Sequence, residues 1–339
     1  MQVNVKTTLA ALMVALMGVP AGARAADLFV GQGLVPVRNY QPLQGLSLQM
    51  PGESAVPLQR DELSVRADVA ETSTVLRGVT PTFNAVLKLN QLRSALAIRY
   101  GAMDGTEVGL ELASRYHHSG GIDGLVTAVE HLVDRPAPLR QQLKNSGFAY
   151  LLSRNGQKLV KGTNGAFGLA DAVLHTKTLL VAEGKYAPAI ALRLALKVPI
   201  GDQTRAFGTG VADLGVGLAL QKAFWNRAAL YFNVNEVLPT GHYLGLALRS
   251  YFTSVSGLEF MVTPKFSITG QFDYYQSPFG NTGLKLLDHG VTEAVLAFGY
   301  RFTPNFLWQI YGVENLDFIR DSAADFTLAT VLTYRFPHK

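Results

Sequence analysis

The chain has 339 residues, 48% hydrophobic and 16% charged, and contains no cysteine, which excludes a disulfide framework and thiolate chemistry. After residue 25, no stretch approaches the roughly 18 consecutive apolar residues of a transmembrane helix, so a helical membrane protein is excluded. The formal net charge is +5, and basic residues are scattered singly, which gives no support for a nucleic-acid-binding surface.

The amino terminus has the organisation of a secretory signal peptide. Lys6 provides a basic start, an apolar stretch covers residues 9–19, and the small residues Ala23 and Ala25 mark a cleavage site. We predict a signal peptide over residues 1–25, and no cysteine follows it to indicate a lipoprotein. An uncleaved anchor is the alternative, although the apolar run is short for a span.

Apolar and polar residues alternate in segments of about 10 to 14 residues, the pattern of a β-strand with one face in an apolar environment. Each segment is bounded by turn signals. The sequence predicts twelve strands, at residues 62–74, 89–102, 107–117, 167–181, 187–199, 211–223, 227–236, 248–262, 266–277, 290–302, 306–316 and 325–336.

The connections between these strands alternate in length. Short turns such as Asp104-Gly105 are interleaved with longer connections at residues 75–88, 118–166, 200–210, 237–247, 278–289 and 317–324. Outer-membrane barrels have short periplasmic turns and long extracellular loops. We therefore predict an all-β fold: a closed antiparallel transmembrane β-barrel of about 12 strands over residues 62–339, in the outer membrane of a Gram-negative bacterium.

The two faces of a predicted strand differ in polarity. On the strand at 187–199, one row is Ile190, Leu192, Leu194, Leu196 and Val198, and the other is Ala191, Arg193, Ala195 and Lys197. A soluble β-sandwich would show the same alternation. Strand length, aromatic residues near strand ends, and glycine and alanine on the polar row favour a barrel whose apolar row contacts membrane lipid.

The last strand ends in an aromatic residue, Phe336. This resembles the carboxy-terminal signature by which the barrel-assembly machinery recognises outer-membrane proteins, and that machinery is the implied partner. The sequence departs from the usual form because Pro337, His338 and Lys339 follow the aromatic residue.

Short motifs along the chain resemble an uncharacterised family of Gram-negative proteins, domain-of-unknown-function family 3187. They are "VPVRNYQPLQGLSLQMP" (35–51), "RYHHSGGIDGLVTAVEHLV", "AFGLADAVL", "LKVPIGD", "YYQSPFG", "YGVENLDF" and "ADFTL". The resemblance covers nearly the whole chain after the signal peptide and implies an outer-membrane barrel. It implies no substrate and no functional residues.

The polar row supplies candidate lumen residues. They are Arg66, Asp68, Arg93, Arg99, Glu107, Glu111, Arg115, Asp171, His175, Lys177, Arg193, Lys197, Asp213, Glu259, Asp273, Glu293, Arg301 and Arg335. Two interpretations stay open: a mixed-charge pore wall that sets selectivity, or opposite charges that neutralise each other in a sealed lumen.

The segment at 26–61 is rich in proline and precedes the first strand, so it cannot be a regular barrel strand throughout. We predict either a periplasmic lead-in or a short plug in which Arg38 pairs with a lumen carboxylate.

The longest predicted loop, 118–166, has structure signals of its own. Apolar residues between 121 and 133 follow a helical period that Pro136 ends, and Asn155-Gly156 indicates a β-hairpin. We predict a short helix followed by a hairpin.

One spacing points to an enzyme. His117 and Ser119 resemble the His-x-Ser spacing of outer-membrane phospholipases and lipid A deacylases, but strand parity places His117 on the lumen side. No other histidine has metal-ligand spacing, and no cofactor motif occurs.

The sequence as a whole predicts a narrow channel or passive transporter for a small solute, without a cofactor. A lipid-modifying enzyme that uses His117 and Ser119 and a sealed structural barrel are the alternatives.

Overall fold

A computed structural model describes residues 31–120, 122, 124, 147–316 and 322–336. These residues contain seventeen strands: β1 (Leu63–Val79), β2 (Phe83–Met103), β3 (Thr106–His118), β4 (Ala149–Arg154), β5 (Gln157–Lys161), β6 (Ala166–Leu169), β7 (Ala172–Val181), β8 (Ala189–Val198), β9 (Asp213–Phe224), β10 (Ala228–Pro239), β11 (His242–Tyr243), β12 (Leu246–Ala247), β13 (Tyr251–Met261), β14 (Phe266–Tyr275), β15 (Val291–Thr303), β16 (Phe306–Asn315) and β17 (Phe326–Phe336).

Twelve of these strands form a closed antiparallel barrel, which confirms the predicted fold. They pair in the order β1, β2, β3, β7, β8, β9, β10, β13, β14, β15, β16 and β17. The last strand returns to the first, from Leu63 opposite Phe336 to Ser73 opposite Phe326. Closure gives every wall strand two neighbours, so the barrel has no free sheet edge along this seam.

The ends of the barrel differ. One end carries the tight turns, including Asp104-Gly105 and the connections 182–188, 225–227, 262–265 and 304–305, and is called the short-turn end. The other carries the longer connections and is called the long-loop end.

The first hairpin is taller than the sequence predicts. The prediction of a loop at 75–88 is wrong, because β1 runs to Val79, β2 begins at Phe83, and only residues 80–82 connect them. The upper part of β2 pairs with β4, from Phe83 opposite Arg154 to Lys88 opposite Ala149. Its backbone groups therefore have a partner strand beyond β3.

The predicted hairpin at Asn155-Gly156 is confirmed. These residues join β4 to β5 with φ values of 50° and 79°, the left-handed conformation that a type I′ turn requires at both central positions. The predicted helix at 121–133 lies outside the described residues apart from Ile122 and Gly124.

The strand predicted at 167–181 is interrupted at Ala170-Asp171, and its two parts, β6 and β7, both pair with β3. At the interruption, the Asp171 carboxylate accepts hydrogen bonds from the backbone N–H groups of Ile200, Gly201 and Thr209. The break therefore directs this carboxylate onto the β8–β9 connection.

Helical structure in the described residues is short: a 3₁₀ turn at Gln44–Leu46 and the helix α1 at Lys285–Asp288. None of the helices described is long and apolar enough to cross a membrane.

The predicted faces match the structure. On β8, Ala189, Ala191 and Arg193 are buried, while Ile190 and Leu192 on the other row are partly exposed. Large apolar side chains cover the outer surface, and aromatic ones gather near the short-turn end. There Phe302 contacts Tyr300, Phe306 and Trp308, and Tyr334 contacts Phe306 and Phe336.

The outward row can be tested at Leu218, near the middle of β9. In a bilayer this row lies in hydrocarbon, so Leu218→Arg should lower the free energy of unfolding by roughly 2–4 kcal/mol, measured by urea unfolding in phospholipid vesicles. Leu218→Met, which conserves volume, should cost less than about 1.5 kcal/mol. Equal losses in both variants would contradict an outward, lipid-facing row.

Candidate functional site

The barrel interior is occupied by residues 31–62, here called the inner segment. It begins at the short-turn end, where the Gln32 side chain donates to the backbone carbonyl of Lys265. It reaches the long-loop end, where Gln41 and Gln44 donate to the carbonyl of Leu286. It then returns to the short-turn end, where the Asp61 N–H donates to the Gly101 carbonyl. The inner segment is therefore a loop inserted from one end.

The turn of this loop is buried in an apolar cluster at the long-loop end. Leu43 and Leu46 pack among side chains of β1, β2, β4 and the connections at the long-loop end: Leu76, Phe83, Leu87, Tyr150, Leu152, Tyr243, Phe279, Leu284, Leu286 and Leu287. Tyr150 also donates its hydroxyl to the Pro42 carbonyl. Apolar packing therefore fixes the tip of the inner segment, and the described loops cover it.

Wall glycines make room for the two limbs of the inner segment. A Cβ added at Gly257 would lie 2.3 Å from Leu34 Cδ2. One added at Gly215 would also collide with Met50. The small residues on the polar row therefore accommodate the inner segment as well as the curvature of the wall.

Arg38 is at the centre of the first charged group. Its NH2 donates to Glu111 Oε1 at 2.6 Å, and Arg93 donates to the same oxygen at 2.6 Å and to Asp68 at 2.8 Å. Arg66 is a looser member, 3.3 Å from Glu111 Oε2 and 3.6 Å from Asp68. The predicted pairing of Arg38 with a wall carboxylate corresponds to this contact.

Glu53 organises the second charged group. Its Oε1 accepts from Arg193 Nε at 2.6 Å, and its Oε2 accepts from Arg99 at 2.6 Å and Lys177 at 3.2 Å. Burial alone would raise the pKa of this carboxyl, but the three cations outweigh burial and hold it well below the usual range. The part of the inner segment around Glu53 is thus attached to the wall by this carboxylate and by backbone carbonyls, since Arg193 also donates to Pro51 and Asn233 donates to the Glu53 carbonyl.

The Glu107 carboxylate, on the wall beside Glu53, is also fully engaged. Its Oε1 lies 3.2 Å from Lys177 and 3.3 Å from Arg99. Its Oε2 accepts from the Leu58 N–H at 2.8 Å.

A third charged group, around Lys197, lies closer to the long-loop end. Its ammonium is 2.9 Å from Asp213 and 3.3 Å from Asp171. Asp213 also accepts the N–H of Leu48, and Arg115 donates to the Gly45 carbonyl at 2.6 Å. These contacts join β3, β8 and β9 to the upper part of the inner segment.

The remaining predicted acidic residues lie on the opposite wall. Glu259 accepts the N–H groups of Gln32 and Gly33 and the hydroxyl of Tyr231. Asp273 accepts from Gln271 and Tyr275, and it is opposite Glu293 in the β14–β15 pair. The hydrogen bonds that hold Glu259 and Asp273 therefore come from neutral donors.

Three cavities in the described interior lie beside the inner segment. The largest, about 170 Å³, is at the short-turn end and is called the vestibule. A cavity of about 30 Å³ shares Glu53, Arg66 and Arg99 with it, and one of about 40 Å³ shares Arg38 and Glu111 with the second. The vestibule is lined by β15, β16, β17, β1, β2, β3 and β7, and the two smaller cavities continue from it along β2, β3, β7 and β8.

The linings of these cavities are dominated by cations. Basic side chains in them are Arg38, Arg66, Arg93, Arg99, Arg115, Lys177, Arg193, Lys197, Arg301 and Arg335. Acidic side chains in them are Glu53, Glu107, Glu111 and Asp171. Glu259, Asp273 and Glu293 line none of the three.

His117 faces the interior, as strand parity predicts. Its ring stacks on Phe207 at 4.9 Å and meets Tyr150 edge-on at 5.1 Å. Among the described residues, neither ring nitrogen has a hydrogen-bond partner, and the Ser119 hydroxyl contacts Asn164 instead. A nucleophile, base and orienting group are therefore not assembled here. Within the described residues, no three potential metal ligands come together either.

The alternation of the sequence predicted that most of these side chains face the interior, but it did not single out Glu53. The available signal was an acidic residue isolated between Pro51 and Pro57 in a proline-rich segment. A sequence period cannot reveal its partners because they come from three different strands.

The family model of DUF3187, a protein of unknown function, matches residues 10–336. The chain belongs to this family. No protein of curated function matches the chain in sequence.

The chain is also similar to solved structures of outer-membrane proteins. The COG4313 outer membrane channel from Pseudomonas putida F1 aligns with a TM-score of 0.55 and 11% identity, over 83% of this chain and 98% of that one. The NanC porin aligns with a TM-score of 0.47 and 9% identity, over 80% of this chain and 98% of that one. At 11% identity, the likeness to the channel shows a common barrel fold.

The attachment of the inner segment can be measured by the exposure of Ser47, a buried residue near its tip. The chain has no cysteine, so Ser47→Cys provides a single site for a maleimide reagent. In that background, Glu53→Gln should speed labelling about tenfold, because it weakens charge-assisted hydrogen bonds from Arg99, Lys177 and Arg193.

The control is Glu71→Gln, the same change at a carboxylate that contacts His118 near the rim. It should leave the labelling rate of Ser47→Cys unchanged. Equal rates in both variants would show that Glu53 does not retain the inner segment.

Proposed function

We propose that this protein is an outer-membrane barrel that passes a small solute, with the inner segment acting as a plug that must shift for passage. In this orientation the short-turn end faces the periplasm and the long-loop end faces outward. The predicted lumen residues then form the wall of the passage. Residues 31–61 of the predicted 26–61 segment form the plug.

The observation that carries the proposal is the line of cavities along the inner segment. It starts at a vestibule of about 170 Å³ and continues upward as pockets of about 30 and 40 Å³. Pockets of that size hold only one or a few water molecules, so a larger solute needs the inner segment to move.

The contacts between plug and wall differ from those that hold the wall together. Wall strands are joined by continuous backbone ladders, whereas the inner segment is attached mainly by side chains such as Arg38 and Glu53. Each such contact can be exchanged for water or a solute. This supports movement of the segment inside an intact barrel.

A sealed structural barrel is the second candidate. It is favoured by the apolar cluster around Leu43 and Leu46, which covers the inner segment at the long-loop end. A barrel of this kind would show no conductance under any condition. The lipase-like alternative has less support, because His117 packs between two aromatic rings away from Ser119.

A disulfide lock distinguishes these candidates. A Cβ built on Gly52 lies 3.3 Å from Val255 Cβ, close to the roughly 3.8 Å that a disulfide spans. Gly52→Cys with Val255→Cys should therefore cross-link the inner segment at position 52 to β13. In planar bilayers, the oxidised protein should be closed, and reduction should restore the conductance steps of the unmodified protein.

The single variant Gly52→Cys is the control for the reducing agent and should conduct alike before and after reduction. Equal conductance of the oxidised and reduced double variant would contradict a moving plug. No conductance from any of these folded proteins, including the unmodified one, would contradict the channel.

A further inference from the structure

We propose that the vestibule binds a small oxyanion, of the carboxylate or phosphate class, and that this is the chemical class of the solute. The inference rests on the proposed function, since it names the solute of the same passage. Its test measures binding, however, and does not depend on conductance.

The cavity linings hold more basic than acidic side chains, although the chain as a whole does not. Overall the chain is nearly balanced, because removing Lys6 and Arg24 with the signal peptide leaves 28 basic and 25 acidic residues. The cavity linings are not balanced, since they hold ten basic and four acidic side chains. The low dielectric of an enclosed wall strengthens the resulting positive potential.

Every carboxylate oxygen of the vestibule already has a hydrogen-bond or ion-pair partner, so none is available to a cationic solute. Each oxygen of Glu53 accepts from at least one cationic side chain. In Glu107, one oxygen contacts Lys177 and Arg99, and the other accepts the Leu58 N–H. A cation in the vestibule would therefore have to displace existing partners.

Two arginines of the vestibule have donors that are not taken up by carboxylates at short distance. Within the described residues, the Arg335 guanidinium has no hydrogen bond or ion pair, and it lies at the mouth of the vestibule. Arg66 reaches its acidic neighbours only at 3.3 and 3.6 Å, and its buried Nε has no hydrogen-bond partner there. Guanidinium groups offer several donors in one plane and suit carboxylate or phosphate oxygens.

The two arginines are close in the sheet. Arg66 is opposite Thr333, and Arg335, two residues further along β17, is opposite Ser64 on the inner face. Both side chains line the vestibule together with Arg99. An oxyanion in the vestibule therefore meets donors from β1 and β17 without breaking the ion pairs of Glu53.

The test is calorimetric titration of the refolded, detergent-solubilised protein at low salt with citrate and with inorganic phosphate as separate probes. Spermidine is the cationic control and glucose the neutral one. We expect one or both anions to bind, and neither control to bind. Arg335→Gln and Arg66→Gln should each weaken anion binding about tenfold, because each removes charge-assisted hydrogen bonds to the anion.

Arg227→Gln is the matched control, because it removes the same charge from an exposed turn at the same end of the barrel, outside all three cavities. It should bind the anion like the unmodified protein. Arg335→Gln keeps the test valid if Arg66→Gln fails to fold, since the Arg335 side chain has no partner to lose in the part of the chain that the structure describes. Wild-type affinity in the folded arginine variants, tighter binding of spermidine, or no binding of either anion would overturn the inference.

The two proposals fail separately. A protein that binds the anion through Arg66 and Arg335 but never conducts contradicts the channel and retains the oxyanion site. A protein that conducts but binds neither anion retains the channel and refutes this solute class.

Discussion

The structure depends on one constraint: a closed twelve-stranded sheet encloses an interior that its own inward side chains do not fill. Most polar side chains that face the barrel interior need a partner, because burying an unpaired charge raises the free energy of the folded protein. The inner segment meets this constraint. Arg38 pairs with Glu111, Glu53 pairs with three cations from β2, β7 and β8, and the Gly45 carbonyl near the tip accepts from Arg115.

The same charges have two roles in this arrangement. Lys197 joins Asp171 and Asp213, which positions the β8–β9 connection, and it also lines the uppermost cavity. Arg99 attaches the inner segment through Glu53 and also lines the vestibule. Some of the side chains that hold the inner segment therefore also line the cavities beside it. In the proposed channel, a solute that competes for Arg99 weakens the attachment of the inner segment, whereas one held by Arg66 and Arg335 leaves the Glu53 contacts in place.

Much of the fold could be predicted because the barrel wall has a local period. Alternation on β8 and β9 identified both faces, and Asn155-Gly156 identified a hairpin by its turn chemistry. The prediction failed at residues 75–88, where both strands continue; Val75 and Leu76 are buried at successive positions, so the alternation disappears there. This part of the hairpin packs in the apolar cluster around Leu43 and pairs with β4, and contacts from such distant parts of the chain are not visible in the sequence.

The candidate site was less accessible to sequence reasoning. Inward parity was enough to collect Arg66, Glu111 and Lys197, but it could not sort them into groups, because the alternation does not show which residues of neighbouring strands lie side by side, as Lys197 and Asp213 do. The cavity linings hold mostly cations, and the carboxylates of Glu259 and Asp273 lie outside them among neutral donors. This arrangement depends on how the strands pair around the barrel, so the net charge of the sequence does not show it.

Because both limbs of the inner segment enter from the short-turn end, the segment is not threaded through the barrel. It can be withdrawn through the mouth by which it enters, while every backbone ladder of the wall remains paired. Withdrawal would break the side-chain contacts of Arg38 and Glu53 and the apolar packing of Leu43 and Leu46, but no hydrogen bond between wall strands. Mutations at these contacts can therefore change how firmly the segment is held without changing the pairing of the wall.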